Sequence, residues 1–161
     1  KAGAVARYSF PFCCVGCTQE IMKDPVKCID AAKDSKGAIG TFMFDPVGGT
    51  KLDLEKVKET VDYKGIRYAF SSADDKTAFN ADPAKFTKIP AKESLVCPNS
   101  GEKIDNYASA GGFVDVDGVR YYTCCGDCLV AMKKDAASVL AKGKAVVTTP
   151  TAAPSPEKKD K

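Results

Sequence analysis

The chain contains no histidine and no tryptophan. Without imidazole, a metal site must be built from sulfur, or from sulfur and oxygen, and histidine-based acid–base catalysis is excluded. No apolar run approaches the roughly 18 residues that a membrane-spanning helix needs, so no membrane span is expected. A net charge of +3 with scattered basic residues, and no nucleic-acid-reading motif, gives no reason to expect a nucleic-acid partner. Apolar residues at 44% and charged residues at 28% are those of a globular domain.

What the sequence does have is sulfur. Six of its eight cysteines fall into two copies of one pattern, Cys13-Cys14-Val15-Gly16-Cys17 and Cys124-Cys125-Gly126-Asp127-Cys128; Cys28 and Cys97 stand apart. Clustered thiolates favour zinc, copper(I) and other soft or borderline ions. An even cysteine count is equally compatible with a disulfide framework. The start at Lys1, without methionine, fits a mature exported protein, and a periplasmic or envelope location is the expectation.

Self-alignment reveals a repeat. Arg67-Tyr68-Ala69-Phe70-Ser71-Ser72-Ala73-Asp74-Asp75 lies over Arg120-Tyr121-Tyr122-Thr123-Cys124-Cys125-Gly126-Asp127-Cys128, and the frame runs without a gap to Asp82 over Asp135. Placing Cys13 and Cys17 on Ser71 and Asp75 brings Asp24-Pro25 onto Asp82-Pro83. On this reading the first copy holds only the second half of the unit. Complete units read as a β-hairpin followed by a short helix. Thr60–Tyr63 and Ile66–Phe70 are joined at Lys64-Gly65, and Phe113–Val116 and Val119–Tyr122 at Asp117-Gly118, a strong hairpin signal. Helices are expected over about 72–81 and 126–134, with Ala78, Phe79, Leu129 and Met132 facing inward, and over Ala137 to Lys142 with Gly143 as the stop. Asp82-Pro83 marks the end of the middle helix. The aromatic residues are read as hairpin and helix packing, Gly48-Gly49 as a turn.

Residues 41–90, from Asp45-Pro46-Val47-Gly48-Gly49 through the hairpin to Asp82-Pro83, resemble a YHS domain, a family related to the TRASH domains implicated in heavy-metal sensing, trafficking and resistance. The resemblance implies an α+β fold of small repeated treble-clef-like units with three cysteines each. It places those positions on Gly48, Ser71 and Asp75 in the middle copy, which therefore lacks soft ligands; Ser72-Ala73-Asp74-Asp75 reads instead as a capping box. In the last copy Cys97, Cys124 and Cys128 occupy the three positions, with Cys125 as an extra thiol. In the first, Cys13 and Cys17 match the pair, Cys14 is the extra, and Cys28 is the nearest substitute for the missing upstream ligand.

The expected organisation is a partial cysteine-rich unit at 1–34, a degenerate unit at 41–90, a cysteine-rich unit at 91–145 and a disordered tail at 146–161. The expected function is non-enzymatic binding of zinc or copper(I) by the eight cysteines. An accessory or assembly subunit of a larger protein complex, its cysteines forming structural metal sites or disulfides, is the alternative. A thiol redox enzyme is the third reading, with Cys13 and Cys124 at helix starts as reactive positions.

Overall fold

The computed structural model describes residues 2–11 and 15–150. It is a mixed α+β protein in which a hairpin followed by two helices occurs three times, preceded by a further strand in the second and third units. The first unit comprises β1 (Ala2–Val5), β2 (Tyr8–Pro11), α1 (Val15–Lys23) and α2 (Pro25–Ala32). The second has β3 (Gly40–Phe42), β4 (Glu59–Tyr63), β5 (Ile66–Phe70), α3 (Ala73–Ala81) and α4 (Pro83–Thr87). In the third, β6 (Lys92–Ser94) is followed by β7 (Gly112–Val116), β8 (Val119–Thr123), α5 (Gly126–Lys134) and α6 (Ala136–Leu140).

Local chemistry explains this recurrence. Each hairpin turns on a two-residue loop whose first residue has positive φ: Ala6 at 51°, Lys64 at 48° and Asp117 at 49°. In the second and third units a glycine with positive φ follows, which gives the primed turn that matches strand twist. Each helix pair breaks at an aspartate before the second helix. Asp24, Asp82 and Asp135 share φ near −150° and ψ 80°, and each carboxylate accepts from the amide three residues on. In the second and first units proline at the opening position supplies a helical φ and lacks the amide that would go unpaired. Asp82-Pro83 therefore ends α3 and also starts α4.

The first unit thus carries the hairpin as well as the helices, which corrects the reading that only its second half is present. Hairpin β1–β2 escaped notice because Ala6-Arg7 is not a turn dipeptide by composition.

Five strands form one sheet in the order β1-β2-β3-β5-β4; β3 runs parallel to β5 and antiparallel to β2. The second sheet repeats the plan in the order β7-β8-β6-β9, where β9 (Val147–Thr148) takes against β6 the place β2 takes against β3. Chain expected to lie in a disordered tail therefore enters a sheet at β9, held by pairing to β6 rather than by its own composition; residues 151–161 lie outside the described part. The sheets meet where the second unit's loop crosses the third hairpin. There the Gly49 carbonyl accepts from Phe113 N at 2.8 Å, and Lys51 N donates to Gly111 O at 3.1 Å. A side chain at Gly49, besides needing φ of 71°, would put its Cβ 2.1 Å from Phe113 O.

Aromatic residues fill the core between these elements: Phe10, Phe44, Phe79 and Tyr122 are fully buried, and Phe44 meets Phe113 edge-on at 5.7 Å. Phe79, Leu129 and Met132 face inward as predicted, whereas Ala78 is exposed, one helical step away from the stripe led by Phe79. In the middle of the core lies a charge. Arg7, at 0% exposure, donates to Glu93 Oε2 at 2.8 Å, to Tyr122 Oη at 3.0 Å and to Tyr107 Oη at 3.2 Å, and Tyr107 in turn donates to Glu93.

Candidate metal centre

Two loops with the same hydrogen bonds open the second and third units. In the third, Cys97 N donates to Glu102 O and Gly101 N to Cys97 O, both at 2.8 Å. In the second, Asp45 N donates to Thr50 O at 2.9 Å and Gly49 N to Asp45 O at 2.8 Å. Asp45-Pro46-Val47-Gly48-Gly49 therefore stands over Cys97-Pro98-Asn99-Ser100-Gly101, with both closing glycines at positive φ. The counterpart of Cys97 is Asp45, not Gly48 as the family pattern suggests.

The other two positions follow from the hairpin and helix. Cys124 leaves the end of β8, Cys125 is the N-cap of α5, and Cys128 lies in that helix's first turn. Gly111 allows this corner to sit close, since a Cβ there would come within 2.4 Å of Cys125 Cα. The sulfurs of Cys97, Cys124 and Cys128 lie within 4.8 Å of one another, close enough to hold one metal ion. Cys124 and Cys128 are 3.7 Å apart, and neither is disulfide-bonded. Cys97 is fully buried and Cys128 is 7% exposed, while Cys124 is half-buried.

The surroundings suit sulfur anions. Burial works against a Cys97 thiolate, but the Ser100 hydroxyl and the amides of Ser100, Cys124 and Asn99 outweigh it and bring this thiol down to about 7. Burial, together with the neighbouring sulfurs, pushes the thiols of Cys124 and Cys128 up. Without a cation Cys97 is thus the readiest of the three to ionise, and a soft cation would displace the protons that the other two hold. Asn99 Nδ2 donates to Cys128 Sγ at 3.4 Å, and Ser100 Oγ lies 3.5 Å from Cys124 Sγ. Lys142 holds Asn99 Oδ1 at 2.6 Å and Lys144 holds Asn99 O at 3.2 Å, placing two positive charges beside a site whose thiolates would exceed the charge of the ion. Three sulfurs satisfy trigonal copper(I); zinc would take them with a fourth ligand from outside the cluster.

The middle unit reproduces this geometry in oxygen. Asp45 Oδ1 accepts from the amides of Val47 at 2.9 Å and Gly48 at 3.0 Å, and Oδ2 from Ser71 N at 2.7 Å. These are the counterparts of the amides around Cys97. Ser71 Oγ donates to Asp45 Oδ2 at 2.6 Å and lies 3.2 Å from Asp75 Oδ2, closing the triangle. Ser72 caps α3 by accepting from Asp75 N at 3.1 Å, and Asp75 answers through the Ser72 hydroxyl rather than its backbone amide, a modified form of the expected box.

This gives a pH prediction. Burial opposes ionisation of Asp45, but the donors from Ser71, Gly48 and Val47 outweigh it and hold the carboxyl below its ordinary 3.8. A depressed folded value means stabilisation that is full above the unfolded value and lost as pH falls through the folded one. Urea midpoints measured from pH 7 to pH 2 should therefore fall more steeply for the wild type than for Asp45→Asn; parallel profiles would contradict this account.

The remaining sequence candidates separate. Cys125 is exposed and outside the common cluster, although its sulfur is 3.8 Å from Cys124 Sγ. Cys28 lies in α2 at the place of Phe86 in α4 and Val139 in α6, the residues that pack those helices, and it joins no metal-sized group among the described residues. Its sequence signal was nearness to Asp24-Pro25, which places a helix start and not a ligand. Cys13, Cys14 and the side chain of Cys17 lie outside the described part. Asn99 and the two lysines are contributors that the sequence reading missed. Asn99-Ser100 between Pro98 and Gly101 was the available signal, since the middle unit has Val47-Gly48 there. Comparison with protein-family models, with curated proteins and with solved structures finds no match to this chain. Among the described residues no helix is long and apolar enough to cross a membrane.

Proposed function

We propose that the protein binds a soft metal ion, zinc or copper(I), non-enzymatically through Cys97, Cys124 and Cys128, as a carrier or store rather than by using the ion as a staple. The observation that carries this reading is the convergence of three sulfurs within 4.8 Å from a loop, a strand end and a helix start. The middle unit supports the cargo role over the structural one. It builds the same corner on hydrogen bonds from Asp45, Ser71 and Asp75, so the framework has a way to form without an ion. The likeness of residues 41–90 to YHS domains points the same way, and we take the units to be modules of that type.

The test combines elemental analysis and a free-thiol count with single substitutions. Cys97→Ser, Cys124→Ser and Cys128→Ser should each weaken binding beyond the roughly 10–100-fold that loss of an outer-shell partner costs, while Cys28→Ser keeps the affinity. Chelation of the wild type should remove the ion and leave the circular dichroism spectrum largely intact. Collapse of the fold on chelation would favour a structural site in an accessory subunit of a larger complex, and no uptake of either ion would end the metal reading.

A further inference from the structure

Cys125 occupies a position whose ordinary occupant is visible elsewhere in the same chain. Its counterpart in the middle unit is Ser72, which caps α3 through Asp75 N at 3.1 Å. Cys125 is the N-cap of α5 but makes no capping hydrogen bond. Serine is among the best residues at a helix N-cap, so a thiol there gives up capping strength. The exchange follows the ligands. Where the flanking pair is Cys124 and Cys128, or Cys13 and Cys17, the residue between is Cys125 or Cys14; where the pair is Ser71 and Asp75, it is serine. Something other than capping therefore accounts for the sulfur.

Geometry indicates what. The sulfurs form a graded series: Cys97 is fully buried, Cys128 nearly so, Cys124 half-buried and Cys125 exposed. Cys125 Sγ is 3.8 Å from Cys124 Sγ, almost the 3.7 Å that separates Cys124 from Cys128. One ion can thus be shared by Cys124 and Cys128 on the inner side or by Cys124 and Cys125 on the outer side.

Resting on the metal-binding reading above, we propose that Cys125 is the transfer ligand of this site, passing the ion between the three-sulfur cluster and an acceptor that presents thiols of its own. Cys125 Sγ forms a bond to the ion as Cys128 gives one up. The incoming thiol releases its proton to solvent and the outgoing thiolate takes one, so charge balances and nothing is oxidised. The acceptor's thiols then replace Cys124 and Cys97 in the same manner, approaching from the side of Cys125 and Cys124, the less buried of the four cysteines.

The experiment loads the full chain with zinc or, without oxygen, copper(I), and mixes it in stopped flow with excess pyridylazoresorcinol or bathocuproine disulfonate. Cys125→Ser and Cys125→Ala are compared with the wild type; the first can restore a cap and the second cannot, so a shared effect belongs to the lost thiol. Both variants should still hold as many ions per chain as the wild type and release the ion of this cluster about tenfold more slowly. Equal release rates would overturn the transfer role alone. Loss of the ion from both variants would also overturn it, making Cys125 a permanent ligand. A wild type that retains neither ion overturns the function proposed above, and this inference with it.

Discussion

Arg7→Met is expected to destabilise the protein by about 3–5 kcal/mol, the usual effect of removing one partner from a buried ion pair. Glu93, 1% exposed, would be left in the core with only Tyr107 to answer its carboxyl group, and Tyr122 Oη would lose its donor. Burial, followed by the hydrogen bond to Glu93, holds the Tyr107 phenol up at about 12, so this hydroxyl remains a donor across the working pH range. Domains of this size are stable by about 5–15 kcal/mol in total, so the variant should lose a large share of its folded population at elevated temperature. The network joins the first hairpin to the third unit, and the urea midpoint of the whole chain is the readout. Arg7→Met with Glu93→Met should recover much of the loss, because removing both charges is far cheaper than stranding one. A single variant as stable as the wild type would mean that Arg7 does not hold the first hairpin in place.

This network also marks where sequence reading stops. Hairpins β4–β5 and β7–β8 were legible because their turns and alternation are local, α5 because Leu129 and Met132 stand at helical spacing, and α3 because a capping box and Asp82-Pro83 bracket it. Arg7 finds its partners 86 to 115 residues away, and nothing near it in sequence announces them. In hindsight the repeat held one clue, an arginine where the other two hairpins have Gly65 and Gly118. Strands β3, β6 and β9 are too short to show alternation and exist through pairing to distant chain. The cysteine cluster was legible in two of its three members as a motif, Cys124 and Cys128, with Cys97 added by the family pattern. That same pattern put the middle unit's first position on Gly48. The residues themselves, Asp45-Pro46 against Cys97-Pro98 and Gly49 against Gly101, point to Asp45, and the loop hydrogen bonds agree. Cys28 shows the opposite error, a thiol counted as a ligand for its element when its register is that of a packing residue.

If the two corners are one framework with different atoms, chemistry should be transferable between them. The triple substitution Asp45→Cys, Ser71→Cys and Asp75→Cys is expected to create a soft-metal site in the middle unit, raising the number of bound ions by one per chain. The amides of Val47, Gly48 and Ser71 already surround Asp45 as those of Asn99, Ser100 and Cys124 surround Cys97, so the backbone donors for a buried thiolate are in place. What the middle unit lacks is the outer support, since Val47 stands where Asn99 reaches Cys128, and among the described residues no lysine hydrogen-bonds to this loop as Lys142 and Lys144 do to the other. Its affinity should accordingly be lower by roughly 10–100-fold, and Val47→Asn added to the triple should recover part of the difference. Titration with copper(I) against a competing chelator would resolve the added step by comparison with the wild type. Without metal, the triple variant should be less stable than the wild type, because three thiols replace a carboxylate that accepts from three backbone amides and a hydroxyl. With metal, the loss should reverse, because an ion bound only by the folded state adds its binding energy to stability. A triple variant that binds no more ions than the wild type, with its fold intact, would show that the likeness of the two corners ends at the backbone.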